Sequence, residues 1–387
     1  TAPQALPLRV LADPEAALTT AAARTALESQ RPVLRLDTRL AETPFWFSFP
    51  VPSPTDEGPS VVEFPSRHLV QLACWDGPRL DALGQADRVQ QHGRLFESQA
   101  GFGLHLHDLK PGTGVLCQAR FTGPARLTVQ QWDEGALRTA TRTFERNAGL
   151  LEGGIVLLAL FVFITALINR NPTYVLFAVW LLINLRMGAL SAGWDVQWLG
   201  HDVPVDWLAQ GRPITLALLY SATGMLFLSL FREELPKVGY RPLLILVQWS
   251  CVLVLILSVA LPYARFLPVL WVCAVLGCLA LGFFLVRIII ITRSAVAAWY
   301  GASIAVTLLS SLYEIVAAAF GLQTWIGTIN SVTAALSSTL LATMSIAAQM
   351  LQEHRERVQA QAELEHTYNV IPVGLFTLDL QGHFIAA

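Results

Sequence analysis

The sequence predicts a membrane protein in four parts: an all-β sandwich, a bundle of seven membrane-crossing helices, a polar helix, and the opening of a second soluble domain. Three observations carry that reading. Hydrophobic residues make up 54% of the 387 positions and charged residues only 14%, whereas an ordinary soluble domain carries about 25% charged residues. The charge is also unevenly spread, since residues 1–148 hold fifteen of the 26 Lys and Arg and sixteen of the 28 Asp and Glu. Beyond Gly149 the apolar runs each approach the ~20 residues that cross a hydrocarbon layer. The net charge of −2 gives no reason to invoke nucleic acid.

The first part, residues 1–148, starts at Thr1 with no Met and no apolar leader. If it lies outside the membrane, a removed signal peptide is expected. "DPEAALT" within residues 8–30 offers an N-cap followed by helix formers, so an entry strand and a short helix are expected there. From 31 to 145 short alternating segments follow one another: "PFWFSFPV", "SVVEFP", "HLVQLACW", "GFGLHLH", "GVLCQARF" and "RLTVQQWD". Period-two alternation with Pro and Gly at the joints argues for an antiparallel sandwich. Cys74 and Cys117 fall in two of these strands and could form a disulfide in an oxidising compartment, or stay as two buried thiols. Cys251, Cys273 and Cys278 sit in apolar helices as packing residues.

Two features of this part are candidate binding groups. "GLHLHD" puts His105 and His107 at i and i+2, on one face of a strand. With His92 or His68 they could ligate a metal, although a solvated strand face is the preferred reading and no metal site is expected. Phe45, Trp46, Phe47, Phe49, Trp75 and Trp132 could stack on a sugar ring, but alternation turns every second aromatic of a strand into the core. Trp46, His105 and His107 are retained as candidate ligand contacts.

Seven apolar stretches follow, at about 150–168, 173–191, 206–231, 242–262, 266–291, 296–320 and 326–350, making a membrane domain of 149–351. Short gaps force neighbours to run antiparallel. One set of ends holds Arg170, Arg232, Lys237, Arg241, Arg287, Arg293, Arg355 and Arg357; the other has Arg212 and Arg265 with Asp195, Asp202 and Asp206. Excess Lys and Arg mark the cytoplasmic side, so residues 1–148 are expected outside and the C-terminus inside. Trp194, Trp198, Trp207 and Trp325 then fall at the outer interface, where aromatic belts belong.

Taken together, "PFWFSF", "KPGTGVLCQARFTGPARLTV", "FERNAGLLEGGIVLLALFVFITALINRNPTYVLFAVWLL" and "GALSAGWDVQWLG" resemble the bacterial seven-transmembrane receptors with diverse intracellular signalling modules (7TMR-DISM), in the branch with a jelly-roll outer domain (DISMED2). The resemblance runs from about Leu8 to Gln352. Ser48 stands where the family's Trp-containing strand usually has Arg. The resemblance implies a periplasmic, jelly-roll sandwich similar to carbohydrate-binding modules, and with it a small-molecule or glycan ligand in a bacterial inner-membrane receptor.

Ionisable side chains within spans are costly and invite a functional reading. Arg186, near the outer end of the second span, and Glu314, near the outer end of the sixth, lie at similar depth. They are expected to form an ion pair that Arg212 and Asn184 could share. A retinal pigment is excluded because Lys110 and Lys237, the only lysines, lie outside the spans. A transporter would call for internal repeats and midplane polar groups, which the sequence does not display.

The last span continues as "SIAAQMLQEHRERVQAQAELEHTYNV" without Gly or Pro. Met344, Leu351 and Val358 recur every seven residues, with His354 and Gln361 at the companion positions: a weak coiled-coil seam, which predicts a parallel homodimer over a signalling helix at 352–367. The terminal "YNVIPVGLFTLDLQGHFIAA", residues 368–387, reads as a strand, a turn from Asp379 to Gly382 and a returning strand. It resembles the start of a PAS domain, whose remainder would lie beyond Ala387. In the family such a PAS domain is commonly followed by GGDEF and EAL domains that make or break cyclic di-GMP, or by a histidine kinase. This chain carries no GGDEF loop, kinase H-box or nucleotide-binding glycine run, so no catalytic residue and no cofactor are expected within it, and a receptor acting through partners alone is the rival expectation.

Overall fold

The computed structural model describes residues 3–53, 60–191, 205–303, 305–306, 331–370, 377–378 and 384–386. The first part is built of two antiparallel sheets. The strands are β1 (Gln4–Ala5), β2 (Arg9–Ala12), β3 (Leu36–Asp37), β4 (Phe45–Pro50), β5 (Ser60–Phe64), β6 (Leu69–Asp76), β7 (Ala82–Asp87), β8 (Gln91–Gly93), β9 (Leu95–Ser98), β10 (Gly101–His105), β11 (Gly114–Phe121), β12 (Arg126–Leu127) and β13 (Gln130–Asp133). One sheet has the order β1-β13-β5-β10-β9, the other β2-β4-β11-β6-β7-β8, and β3 pairs separately with β12.

Alternation explains how the sheets close on each other. Along β4, Phe45, Phe47 and Phe49 enter the core between the sheets, where the Phe47 and Phe49 rings meet Phe64 edge-on at 5.8 and 5.9 Å. Trp46 points the opposite way, beneath helix α1 (Thr20–Glu28), which covers one end of the six-stranded sheet with Ala23 and Leu27. Thr19 starts α1 by accepting the Ala22 N–H at 3.3 Å, as an N-cap should. Cys74 and Cys117 are direct cross-strand partners on β6 and β11 and form a disulfide, with Cα atoms 4.1 Å apart.

β13 passes straight into helix α2 (Glu134–Asn169), with Asp133 as N-cap accepting the Ala136 N–H at 3.0 Å. The helical stretch 134–148 was expected to belong to the strand-rich part. It is instead one helix with the first span, running through the boundary expected at 148/149. At 1.5 Å per residue its 36 residues extend about 54 Å. No linker separates the sandwich from the first apolar helix.

Four more apolar helices follow: α3 (Pro172–Ser191), α4 (Val205–Leu230), α6 (Arg241–Ala260) and α7 (Tyr263–Thr292), with a single turn, α5 (Leu235–Val238), between α4 and α6. With α2 these make five helices long and apolar enough to cross a membrane among the described residues. The sixth expected span begins as helix at 295–303 (α8), is helical again at 305–306, and lies for the rest outside the described residues. The seventh, from residue 331 on, is part of a 40-residue helix, α9 (Ser331–Val370), and its first five residues lie outside the described ones.

The bundle core gathers Tyr174, Phe177, Leu181, Phe227, Phe231, Phe284, Tyr300 and Ile346. Leu157, Phe161, Trp249, Ile256, Leu279 and Ile290 are exposed outward, as a lipid-facing surface requires. The α3 span is 56% buried and the α6 span 22%, which makes α3 the hub and α6 a peripheral helix. Beyond α9, Thr377–Leu378 and Phe384–Ala386 pair antiparallel, while "IPVG", Asp379 and Gly382 lie outside the described residues.

Candidate functional site

The outer side of the six-stranded sheet carries an open groove of about 350 Å³. It is made by the residues one step out of phase with the core. Two cross-strand rungs form its floor: Gln118–Ala73–Gln85 and Arg120–Gln71–Asp87, spanning β11, β6 and β7. Ala73 leaves the central dent, because a methyl group fills little of the space between two glutamines. His92 on β8 closes one side. Side-chain amides offer both donors and acceptors, and Arg120 adds a fixed cation. That lining, with the Asp87 carboxylate in the same rung as Arg120, suits a hydroxyl-rich small molecule.

The candidate Trp46 is not part of this groove. Its ring is 3% exposed, lies 5.5 Å from the Trp75 ring, and its Nε1 donates to Asp13 Oδ2 at 3.3 Å. Packed under α1, it has no open face for a ligand and serves as a support. The groove glutamines were missed because exposed glutamines in a strand carry no sequence signal of their own. Only the pairing of β6, β7 and β11 brings them together.

His105 and His107 lie on the outward face of the five-stranded sheet, their rings stacked 5.3 Å apart. Phe96 stacks on the other side of His105 at 4.4 Å, and its ring crosses directly over Gly103, where a Cβ would collide with it. Burial, with His107 and Arg138, holds the His105 imidazole below its usual pKa, while Glu134 opposes that shift. Glu63 is buried on the same face, takes a bond from Ser98 Oγ at 3.1 Å, and is pushed up by burial. The grouping of these histidines with His92 or His68 does not form: His92 belongs to the other sheet, and His68 sits against the bundle. Glu134, at the start of α2, comes beside them instead.

A second arrangement connects sandwich and bundle. Arg212, 7% exposed on α4, donates from Nη2 to the Arg67 carbonyl at 3.0 Å. The neighbouring His68 has Nδ1 3.0 Å from the Thr122 carbonyl and takes the Arg67 Nε–H on Nε2 at 3.3 Å. Burial, helped by the charges of Arg67 and Arg212, pulls its pKa down to about 3. The ring is therefore neutral, with Nδ1 the donor to Thr122. Tyr263, at the start of α7, and Leu40, packed among the α4, α6 and α7 side chains, complete the contact.

Within the bundle, Arg186 reaches toward α4: a Cβ on Gly211 would lie 4.0 Å from its Nη2. Arg186 and Arg212 therefore converge on the same end of α4. Asn184 donates to the Trp180 carbonyl of its own helix at 2.8 Å. Glu314 lies outside the described residues. At the other end of the bundle, Glu353 of α9 accepts from Asn171 Nδ2 and Tyr174 OH, both at 3.4 Å, and from Gln349 Nε2 at 3.0 Å. Sequence inspection passed over Glu353, which tethers α9 where it leaves the bundle. Ile346 packs into the core, whereas Met344, Leu351 and Val358 are all about half exposed on the other side of α9.

No family model matches this chain, and no curated protein matches it.

Proposed function

We propose that this chain is the input portion of a bacterial inner-membrane sensory receptor, with the sandwich in the periplasm and α9 leading into the cytoplasm. The observation that carries the reading is continuity. The last strand of the sandwich becomes the first spanning helix without a break, and α9 runs as one 40-residue helix from the bundle toward the terminal strand pair. A shift in the outer domain can therefore reach the membrane as a movement of α2 rather than being absorbed by a linker. The Cys74–Cys117 disulfide supports an oxidising compartment for the sandwich, and Arg170, Arg232, Lys237, Arg241, Arg287, Arg293, Arg355 and Arg357 support the opposite placement for α9.

In this reading the Gln71, Gln85, Gln118 and Arg120 groove takes a small carbohydrate-like ligand. The Arg67–Arg212 contact and α2 carry the change into the bundle, and the Met344–Leu351–Val358 stripe pairs with a second copy. Residues 368–387 open a PAS domain that relays to a cyclic-di-GMP-metabolising GGDEF/EAL output. This output and the PAS assignment rest on the resemblance.

The decisive experiment is to express the gene's full coding region in a strain of low cyclic di-GMP and measure that nucleotide with and without the Leu351→Asp substitution. A change in cyclic di-GMP that Leu351→Asp abolishes supports the reading. Autophosphorylation in its place means a sensor kinase. Neither signal, together with partner recruitment, means a non-enzymatic receptor. Uptake of solute by liposomes containing residues 1–387 means a transporter and overturns it.

A further inference from the structure

The pairing of the five-stranded sheet brings three metal-ligating side chains together from two separate elements. His105, Val61 and Trp132 form one rung across β10, β5 and β13. Residues two further along each outer strand continue on the same face, and these are His107 and Glu134. The donor atoms of His105, His107 and Glu134 all lie within 4.8 Å of one another. A metal ion at ~2.0–2.2 Å from each places ligand atoms about 3–4 Å apart, so only small rotamer adjustments separate this cluster from a closed site.

Two further observations point to a ligand. Among the described residues His105 Nδ1 is buried and has no hydrogen-bond partner, a state that costs free energy unless something else satisfies it. Stacking of Phe96 on one side of the imidazole and His107 on the other fixes the ring plane, which preorganises its nitrogens for a ligand rather than for a variety of water contacts. Arg138 opposes a cation, since its Nη2 donates to Glu134 Oε1 at 2.8 Å. That bond occupies one carboxylate oxygen and leaves the other, and the Arg138 side chain is 63% exposed, free to swing toward water.

We propose that His105, His107 and Glu134 bind a divalent transition-metal ion, zinc by the nature of the donor set, at the point where the sandwich joins the first membrane helix. Two imidazoles and one carboxylate favour zinc over magnesium or calcium, which require oxygen donors. Three protein ligands leave a fourth position for water. The ion cross-links the end of β10 to the first residue of α2 and so stiffens the joint between the sandwich and the first apolar helix. The site is independent of the proposed receptor role: each can fail without the other.

The test uses the tag-free full chain in detergent, stripped with EDTA and titrated with zinc chloride by calorimetry. One zinc per chain is expected, weakened at least about tenfold in both His107→Gln and Glu134→Gln, with cobalt(II) giving the visible bands of a four-coordinate site that the variants lack. Hydrogen exchange of the amides at 134–138 is expected to slow with zinc in the wild type only. Both variants are checked for wild-type melting in EDTA, and if Glu134→Gln melts lower, the exposed His107→Gln carries the comparison. Absence of saturable binding overturns the proposal, as does stoichiometric binding that both variants retain.

Discussion

The sandwich and the bundle are built from the same apolar residue types but bury them by opposite rules. In the sandwich, β5 is buried along its whole length, with Val62 and Phe64 in the core between the sheets and β13 and β10 flanking it on either side. In α6 only Val247, Cys251, Val254 and Ser258 are buried, a single stripe at helical spacing, while Ile245, Leu246, Trp249, Val252, Leu253 and Ile256 face outward. Water drives the first arrangement; it has no part in the second, because lipid tails are as apolar as leucine. What holds the bundle is close packing and the polar pairs between helices, such as Trp180 Nε1 to Thr223 Oγ1 at 3.0 Å and Thr173 with Ser229 at 2.7 Å.

That difference can be broken by matched substitutions. Phe47→Ala in the sandwich is expected to cost about 3–5 kcal/mol, because transfer and cavity terms add. Phe284→Ala in the bundle is expected to cost roughly half as much, since only packing is lost. Thermal unfolding in detergent, followed separately for the two parts, checks this; equal costs would mean that the bundle core is not lipid-like in its surroundings. Next comes the disulfide. Replacing Cys74 and Cys117 by Ala is expected to lower sandwich stability by about 2–4 kcal/mol and to leave the bundle transition in place. A parallel loss in both parts would show that they unfold as one unit.

The contact between the two parts gives the third effect. Arg212→Ala removes a bond from a charged donor to the Arg67 carbonyl, worth about 1.5–3 kcal/mol, and is expected to separate the two unfolding transitions further. Coincident transitions in the variant would place the coupling elsewhere. The smallest effect at neutral pH belongs to His68. Its pKa of about 3 in the folded protein lies below the ordinary value, so the unfolded chain binds the proton more readily. Stability from this group is complete above about pH 6.5 and is lost as pH falls from there toward about 3. His68→Asn is expected to melt lower at pH 7 but to lose less on going from pH 6.5 to 4.5. An unchanged slope would show that the ring is solvated.

Several elements were legible because they are one-dimensional patterns. The alternation of "PFWFSF" indicated that every second aromatic of the strand enters the core, and the apolar runs marked the five helices now described. The groove was not legible, since Gln71, Gln85 and Gln118 become neighbours only across β6, β7 and β11. His105 and His107 could be paired from their spacing, but the third donor was sought among histidines, whereas sheet order supplied Glu134. The helical character of 134–148 was missed for a related reason. "DEGALRTATRTFERNA" has good helix formers and an Asp N-cap, but its neighbours in sequence are strands, and only the packing of β13 against β5 makes Asp133 the end of one element and the start of the next.

Composition, periodicity and charge asymmetry by themselves determined that a strand-rich domain precedes a set of helices long and apolar enough to cross a membrane, because burial in water and immersion in lipid each impose a residue pattern that can be read along the chain. Tertiary structure alone decided which side chains meet: Arg212 with Arg67, Glu353 with Asn171 and Tyr174, Glu134 with the two histidines. Those meetings depend on strand order and helix contact between residues far apart in the chain, and no local pattern encodes them.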